Sequence, residues 1–129
     1  MRNQENRTKG NAGPWSETEN AAVSLLYCGM ASAVMAGTKY SKAQLIREQQ
    51  AGELSARSKG SIEAKLMNVS AIVVERALMT RLPSGHVPGY KPAPNYQTAL
   101  VGAVIQTVTF LQARSVELGG VTSEQQRRA

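Results

Sequence analysis

Charge is missing from two long stretches of this chain: no charged residue occurs from Asn20 to Thr38, and none from Pro92 to Ala113. Pro14-Trp15-Ser16-Glu17-Thr18-Glu19 opens the first stretch with a capping box, in which Ser16 is answered by Glu19 three residues on, and Glu17 adds negative charge to the first turn. The spacing predicts a helix from there to about Ala36, stopped at Gly37. Ala, Ser, Gly and Asn dilute its apolarity too far for a membrane span, and its length only just reaches a bilayer's width. The expected state is a helix buried on most sides, by its own core or by a partner chain.

Beyond the turn Gly37-Thr38-Lys39-Tyr40, Ser41 is placed to cap a second helix over roughly 42–51, with Leu45 and Ile46 inward and Lys42, Arg47 and Glu48 outward; Gly52 ends it. Leu54 then leads through Ser55-Ala56 into Arg57-Ser58-Lys59-Gly60-Ser61, a basic turn that feeds a third helix, carried to about Met79. At about 100° per residue, Ile62, Leu66, Val69, Val73 and Ala77 form the expected core stripe. Ala64, Asn68, Ala71 and Glu75 lie opposite, flanked by Glu63 and Met67, with Lys65 at the border. Residues 80–96 hold four of the five prolines, two Gly and the only His, and Tyr90 and Tyr96 give this ordered loop something to pack with. A last helix, about 97–116, is apolar nearly all round through Leu100, Val101, Val104, Ile105, Val108, Phe110 and Leu111. No repeat and no strand-like alternation appears.

The expected fold is therefore all-α, with about four main helices, a helix-turn-helix-like element and a Pro-rich ordered loop. Residues 1–13 read as a disordered basic arm, 14–116 as a single α-helical DNA-binding domain, and 117–129 as a flexible tail released at Gly119-Gly120.

Charge adds a direction to this outline. The chain of 129 residues carries +6, with fifteen Lys and Arg against nine Glu and no Asp. Nine of the basic residues lie between Lys39 and Lys91, against four Glu in the same interval, so the surplus surrounds the third helix and favours a polyanionic partner. A single Cys28 and the absence of an apolar leader point to a reducing cytoplasm. With one His, one Cys and no Asp, a metal-ligand cluster or a Ser-His-Asp triad is effectively excluded, so no cofactor, no metal and no enzymatic activity are expected. His86 reads as a loop surface residue.

A helix start with free N–H groups beside Arg57 and Lys59 can seat a phosphate, and Gly60 permits close approach. The small outward face of the third helix suits a DNA major groove, where Asn68 would make a two-point contact with adenine and an Ala methyl would touch the methyl group of thymine or of a modified cytosine. A solvated face of a structural helix is the equally available plain reading.

Pro14-Trp15-Ser16 with Glu19, then Arg57-Ser58 followed by Gly60-Ser61-Ile62-Glu63, Lys65, Asn68 and Ser70-Ala71, and finally Gly89-Tyr90-Lys91-Pro92 with Asn95-Tyr96-Gln97, form an ordered set over residues 14–97. In that set the chain resembles the N-terminal DNA-recognition domain of HNH-type modification-dependent restriction endonucleases. A looser likeness is to Myb/SANT-type three-helix domains. The first resemblance implies binding of double-stranded DNA, in relatives DNA carrying 5-methylcytosine or a related modification. Arg57, Ser58, Lys59 and Ser61 would hold phosphates; Ala64, Lys65 and Asn68 would face or border the bases; Tyr90 and Lys91 would make a second contact. No His-Asn-His nuclease follows residue 97, so the chain is expected to bind without cutting, with a separate nuclease subunit as a candidate partner. The two neutral helices lead us to expect a homodimer. The competing expectation is an α-helical assembly module whose basic face is incidental.

Overall fold

The computed structural model describes residues 13–128, and the side chains of residues 13–114. The expected arm thus lies almost wholly outside the described residues. Four helices make up the fold: α1 (Glu17–Ala36), α2 (Lys42–Gln50), α3 (Lys59–Glu75) and α4 (Thr98–Arg128), with no strand among the described residues. None of these helices is long and apolar enough to cross a membrane.

Local chemistry sets the helix ends. Ser16 Oγ accepts the Glu19 N–H while Glu19 Oε1 accepts the Ser16 N–H, closing the capping box in front of α1. Gly37, at φ 70°, takes the left-handed conformation that ends α1. Ser41 and Ser58 cap α2 and α3 in the same way, each accepting the N–H three residues on.

The third helix ends at Glu75 rather than near Met79. Ala77 sits at φ 51°, its N–H bonds to Val74 O and the Leu78 N–H reaches Val73 O, which is the bonding of a Schellman turn. Gly usually marks that position, and here Ala fills it, so the stop leaves no sequence signal. Ala77 is consequently exposed and leaves the core stripe, whereas Ala71, expected on the outward face, is buried. The backbone of α4 runs on as helix to Arg128 instead of stopping near 116. Gly119 and Gly120 cost only about 1 kcal/mol each and no Pro intervenes.

The longest contacts in the fold run along α1 and α4. Trp15, Asn20 and Ala21 lie near Ala99 and Gly102 at one end, and Ala31 and Met35 near Val108 and Leu111 at the other, so the two helices run in the same direction. α3 packs under both, with Ile62, Leu66, Val69, Ile72 and Val73 buried against Val23, Tyr27 and Met30 of α1. Tyr27 ties three parts of the chain at one atom. Its hydroxyl oxygen accepts the Val87 N–H at 2.8 Å and shares a 2.8 Å hydrogen bond with Ser70 Oγ, joining α1, α3 and the loop before α4.

Tyr27→Phe removes that oxygen and strands a buried backbone N–H. We expect a loss of about 1–3 kcal/mol in urea unfolding; a variant as stable as the parent would show that the hydroxyl is replaceable by water. Ala77→Gly relieves a left-handed Ala and should raise stability by about 1 kcal/mol in the same assay. A decrease would show that Ala77 is not strained there.

Candidate nucleic-acid interface

The sequence-predicted contact residues divide into a buried group and an exposed group. Arg57 belongs to the first. Only 4% exposed, it donates Nε to Glu19 Oε2 at 2.9 Å, Nη2 to Glu19 Oε1 at 2.8 Å and to Pro14 O at 2.9 Å, and Nη1 to Gly13 O at 2.8 Å. Its guanidinium also lies 5.0 Å from the Trp15 ring centroid. With four of its five N–H donors on the chain's own acceptors and only 4% of it exposed, Arg57 is not a free phosphate ligand. It is the clamp that holds the start of α1 against the start of α3. The Arg57 guanidinium bonded to Glu19 holds that carboxyl below its ordinary pKa, against the opposing effect of partial burial.

Lys65 shares the clamp's aromatic partner. Its ammonium stands 4.9 Å from the Trp15 centroid, half-buried, and that burial, followed by the charge of Arg57, lowers its pKa. Cation–π attraction offsets part of the desolvation.

Asn68 is also engaged. Its Nδ2 donates to Ala93 O at 2.9 Å and lies 3.5 Å from Asn95 O, while the Ala93 N–H donates back to Met67 O at 3.0 Å. Tyr96 donates its hydroxyl to Glu75 one and a half to two turns further along α3. The Pro-rich segment therefore lies across the outward face of α3. The two-point contact of Asn68 with adenine has no free amide to make it.

Tyr90 is buried rather than presented as a stacking surface, its hydroxyl has no hydrogen-bond partner among the described residues, and burial pushes its pKa up to about 12. Lys42, a residue the sequence reading left outside the site, lies over that ring at 4.4 Å from its centroid and donates to Pro88 O. Gly89, at φ 91°, keeps its Cα open to the Lys42 ammonium, which a side chain there would strike. A contact across 46 residues leaves no local spacing to find it by.

The exposed group is Lys59, Gly60, Ala64 and Lys91. Ser58 caps α3 and Ser61, half-buried, gives its N–H to that cap, so both serve the helix start. The leading N–H groups of Lys59 and Gly60 have no carbonyl four residues back within α3, and a Cβ at Gly60 would meet nothing within 4 Å. The tight turn of a helix-turn-helix has about three or four residues. The connection from α2 to α3 spans residues 51–58 and is a run of turns closed by Leu54 and Arg57. Among the described residues no three His, Cys or Glu side chains gather where a metal ion could sit.

Compared with known protein families, with curated proteins and with solved structures, the chain matches none.

Arg57→Ala should cost about 3–5 kcal/mol, because Glu19 is left charged and half-covered without its partner, and Arg57→Lys should recover little of it for want of a planar fork. Glu19 has a lowered pKa in the folded chain, so its contribution is complete above the ordinary Glu value and is lost as pH falls through the lowered one. Glu19→Gln should therefore be less stable than the parent at pH 7, with the gap closing below about pH 4. A gap that stays constant to lower pH would count against the ion pair as its source.

Proposed function

We propose that this chain binds double-stranded DNA, and that phosphate contacts from unpaired basic side chains lead the binding. The observation that carries this reading is the state of the charges. Of the nine basic residues from Lys39 to Lys91, Arg57 alone forms an ion pair, and the other eight have no carboxylate partner among the described residues. An unpaired positive surface attracts a polyanion and releases its counterions. The resemblance to DNA-recognition domains, carried by Trp15, Glu19, Arg57, Lys65, Asn68 and Tyr90, supports the same partner.

The residues proposed to touch DNA are those left free. Lys59, with the leading N–H groups of α3 beside it, and Lys91, which follows the Tyr90 ring that Lys42 covers, are exposed; Lys65 is half-exposed. Direct base reading through Asn68 and Ala71 does not form part of this proposal, since the loop covers one and the core buries the other.

The test is fluorescence anisotropy with a labelled duplex, unmodified or carrying 5-methylcytosine, at two salt concentrations. We expect similar affinity for both, falling steeply with salt, and a slope reduced by about 1 in Lys59→Ala and again in Lys91→Ala. Asn68→Ala should loosen the Pro-rich segment, lowering stability by about 1 kcal/mol without reordering the preferred sites. Tighter binding to the modified duplex that persists at the higher salt would restore base reading, with Ala64, Lys65 and the loop tip as its residues. No binding at low salt would overturn the DNA reading and leave the α-helical assembly module.

A further inference from the structure

We infer that a second copy of this chain docks on the neutral face formed by α1 and α4. This inference does not depend on the DNA reading. α1 is buried on most of its circumference and exposes one narrow stripe, Thr18, Ala21, Leu25, Gly29, Ser32 and Met35, spaced three or four residues apart. Across from it, α4 exposes Gly102, Ile105, Gln106, Thr109 and Phe110. Four of the five large apolar side chains that the described residues leave exposed lie on these two helices: Leu25 at 57%, Met35 at 48%, Ile105 at 36% and Phe110 at 60%. Between the helices runs an open groove of about 690 Å³ with Ala21, Ala99 and Gly102 among its walls, Leu25 and Phe110 beside them, and a single charged side chain, Glu17, at the end where α1 begins. Leu25 and Phe110 and the hollow beside them thus occupy one face, which is what a twofold pairing of identical surfaces needs.

Charge selects the occupant. A copy carrying +6 is repelled by another wherever basic side chains meet, and α1 beyond Glu19 together with α4 up to Arg114 is the part of the described surface where none stand. The chain's own residues 1–12, MRNQENRTKGNA, offer almost nothing apolar to fill it. Size agrees as well. Helices of these lengths side by side present roughly 25 Å by 20 Å, so two copies cover on the order of 1,000 Å², where specific interfaces begin. A separate observation concerns Asn20, which lines the groove and is 2% exposed: its Oδ1 has no hydrogen-bond partner among the described residues. A second copy brings an amide donor, Gln106, on the same face.

Sedimentation equilibrium of the full chain, without DNA and at low and high salt, tests the inference. We expect a dimer at both, since burial of neutral surface is not weakened by screening. Leu25→Glu and Phe110→Glu, both at exposed positions, should sediment as monomers while keeping the parent's helical circular dichroism. Val74→Glu, at the exposed apolar residue of α3, should remain a dimer. A monomeric parent chain, a dimer that survives both Leu25→Glu and Phe110→Glu, or a monomer in Val74→Glu as well would each overturn it.

Discussion

A guanidinium taken out of water must replace its hydration with acceptors of fixed position, and Arg57 finds them on a segment 38 to 44 residues away: both oxygens of Glu19 and the carbonyls of Gly13 and Pro14. The acceptors are all at the entry to α1, and Arg57 itself stands one residue ahead of the cap of α3. One side chain thereby fixes two helix starts against each other. Trp15 closes the arrangement from the side, with the cations of Arg57 and Lys65 each about 5 Å from its ring centroid. Glu19 serves twice, once in the capping box and once in the ion pair, so helix initiation and tertiary docking depend on the same carboxylate.

The second fastening lies at the other end of the chain's longest non-helical segment. Between Arg76 and Gln97 the backbone has no ladder of its own; turns satisfy some of its polar groups, such as the Leu82, Gly85 and Tyr90 N–H, and others are satisfied from outside: Val87 N–H by Tyr27, Pro88 O by Lys42, Ala93 O by Asn68 and Ala93 N–H by Met67. Prolines lower the entropy lost in ordering that path. The segment is a fourth wall of the core, with Leu82, Val87 and Tyr90 buried, and it brings the chain to the start of α4.

Helix existence, caps and the buried stripe of α3 were legible because they depend on residues within four positions of one another. The capping box at Ser16, the cap at Ser58 and the Gly37 stop are where local spacing puts them. The end of α3 was not legible, because an Ala adopts the conformation that a Gly would have announced. Nor were the roles of Arg57, Asn68 and Tyr90, since a basic residue, an amide and an aromatic beside a helix start look alike whether they face a ligand or a distant part of the same chain. What separates the two is the location of Glu19, Ala93 and Lys42, and sequence distance hides it. The residues that carry the family resemblance over 14–97 are largely these mutually bonded ones.

That overlap bears on how such a motif divides its labour. Glu19, Arg57, Trp15, Lys65 and Asn68 stand apart in sequence and meet in space, so any one of them is constrained by its partners whatever the chain binds. Binding then falls to side chains that the clamp holds in place but does not use. Among the described residues two kinds of surface remain for it, segregated by charge: lysines and arginines without carboxylate partners around α2, α3 and the loop tip, and a largely uncharged, partly apolar face along α1 and α4. A polyanion gains from the first and would lose by covering the second, where burial of Leu25 and Phe110 is favourable only against another apolar surface. The proposed polyanion and the proposed second copy would therefore meet separate surfaces, joined by a core that one buried arginine keeps in register, and neither would cover the other's.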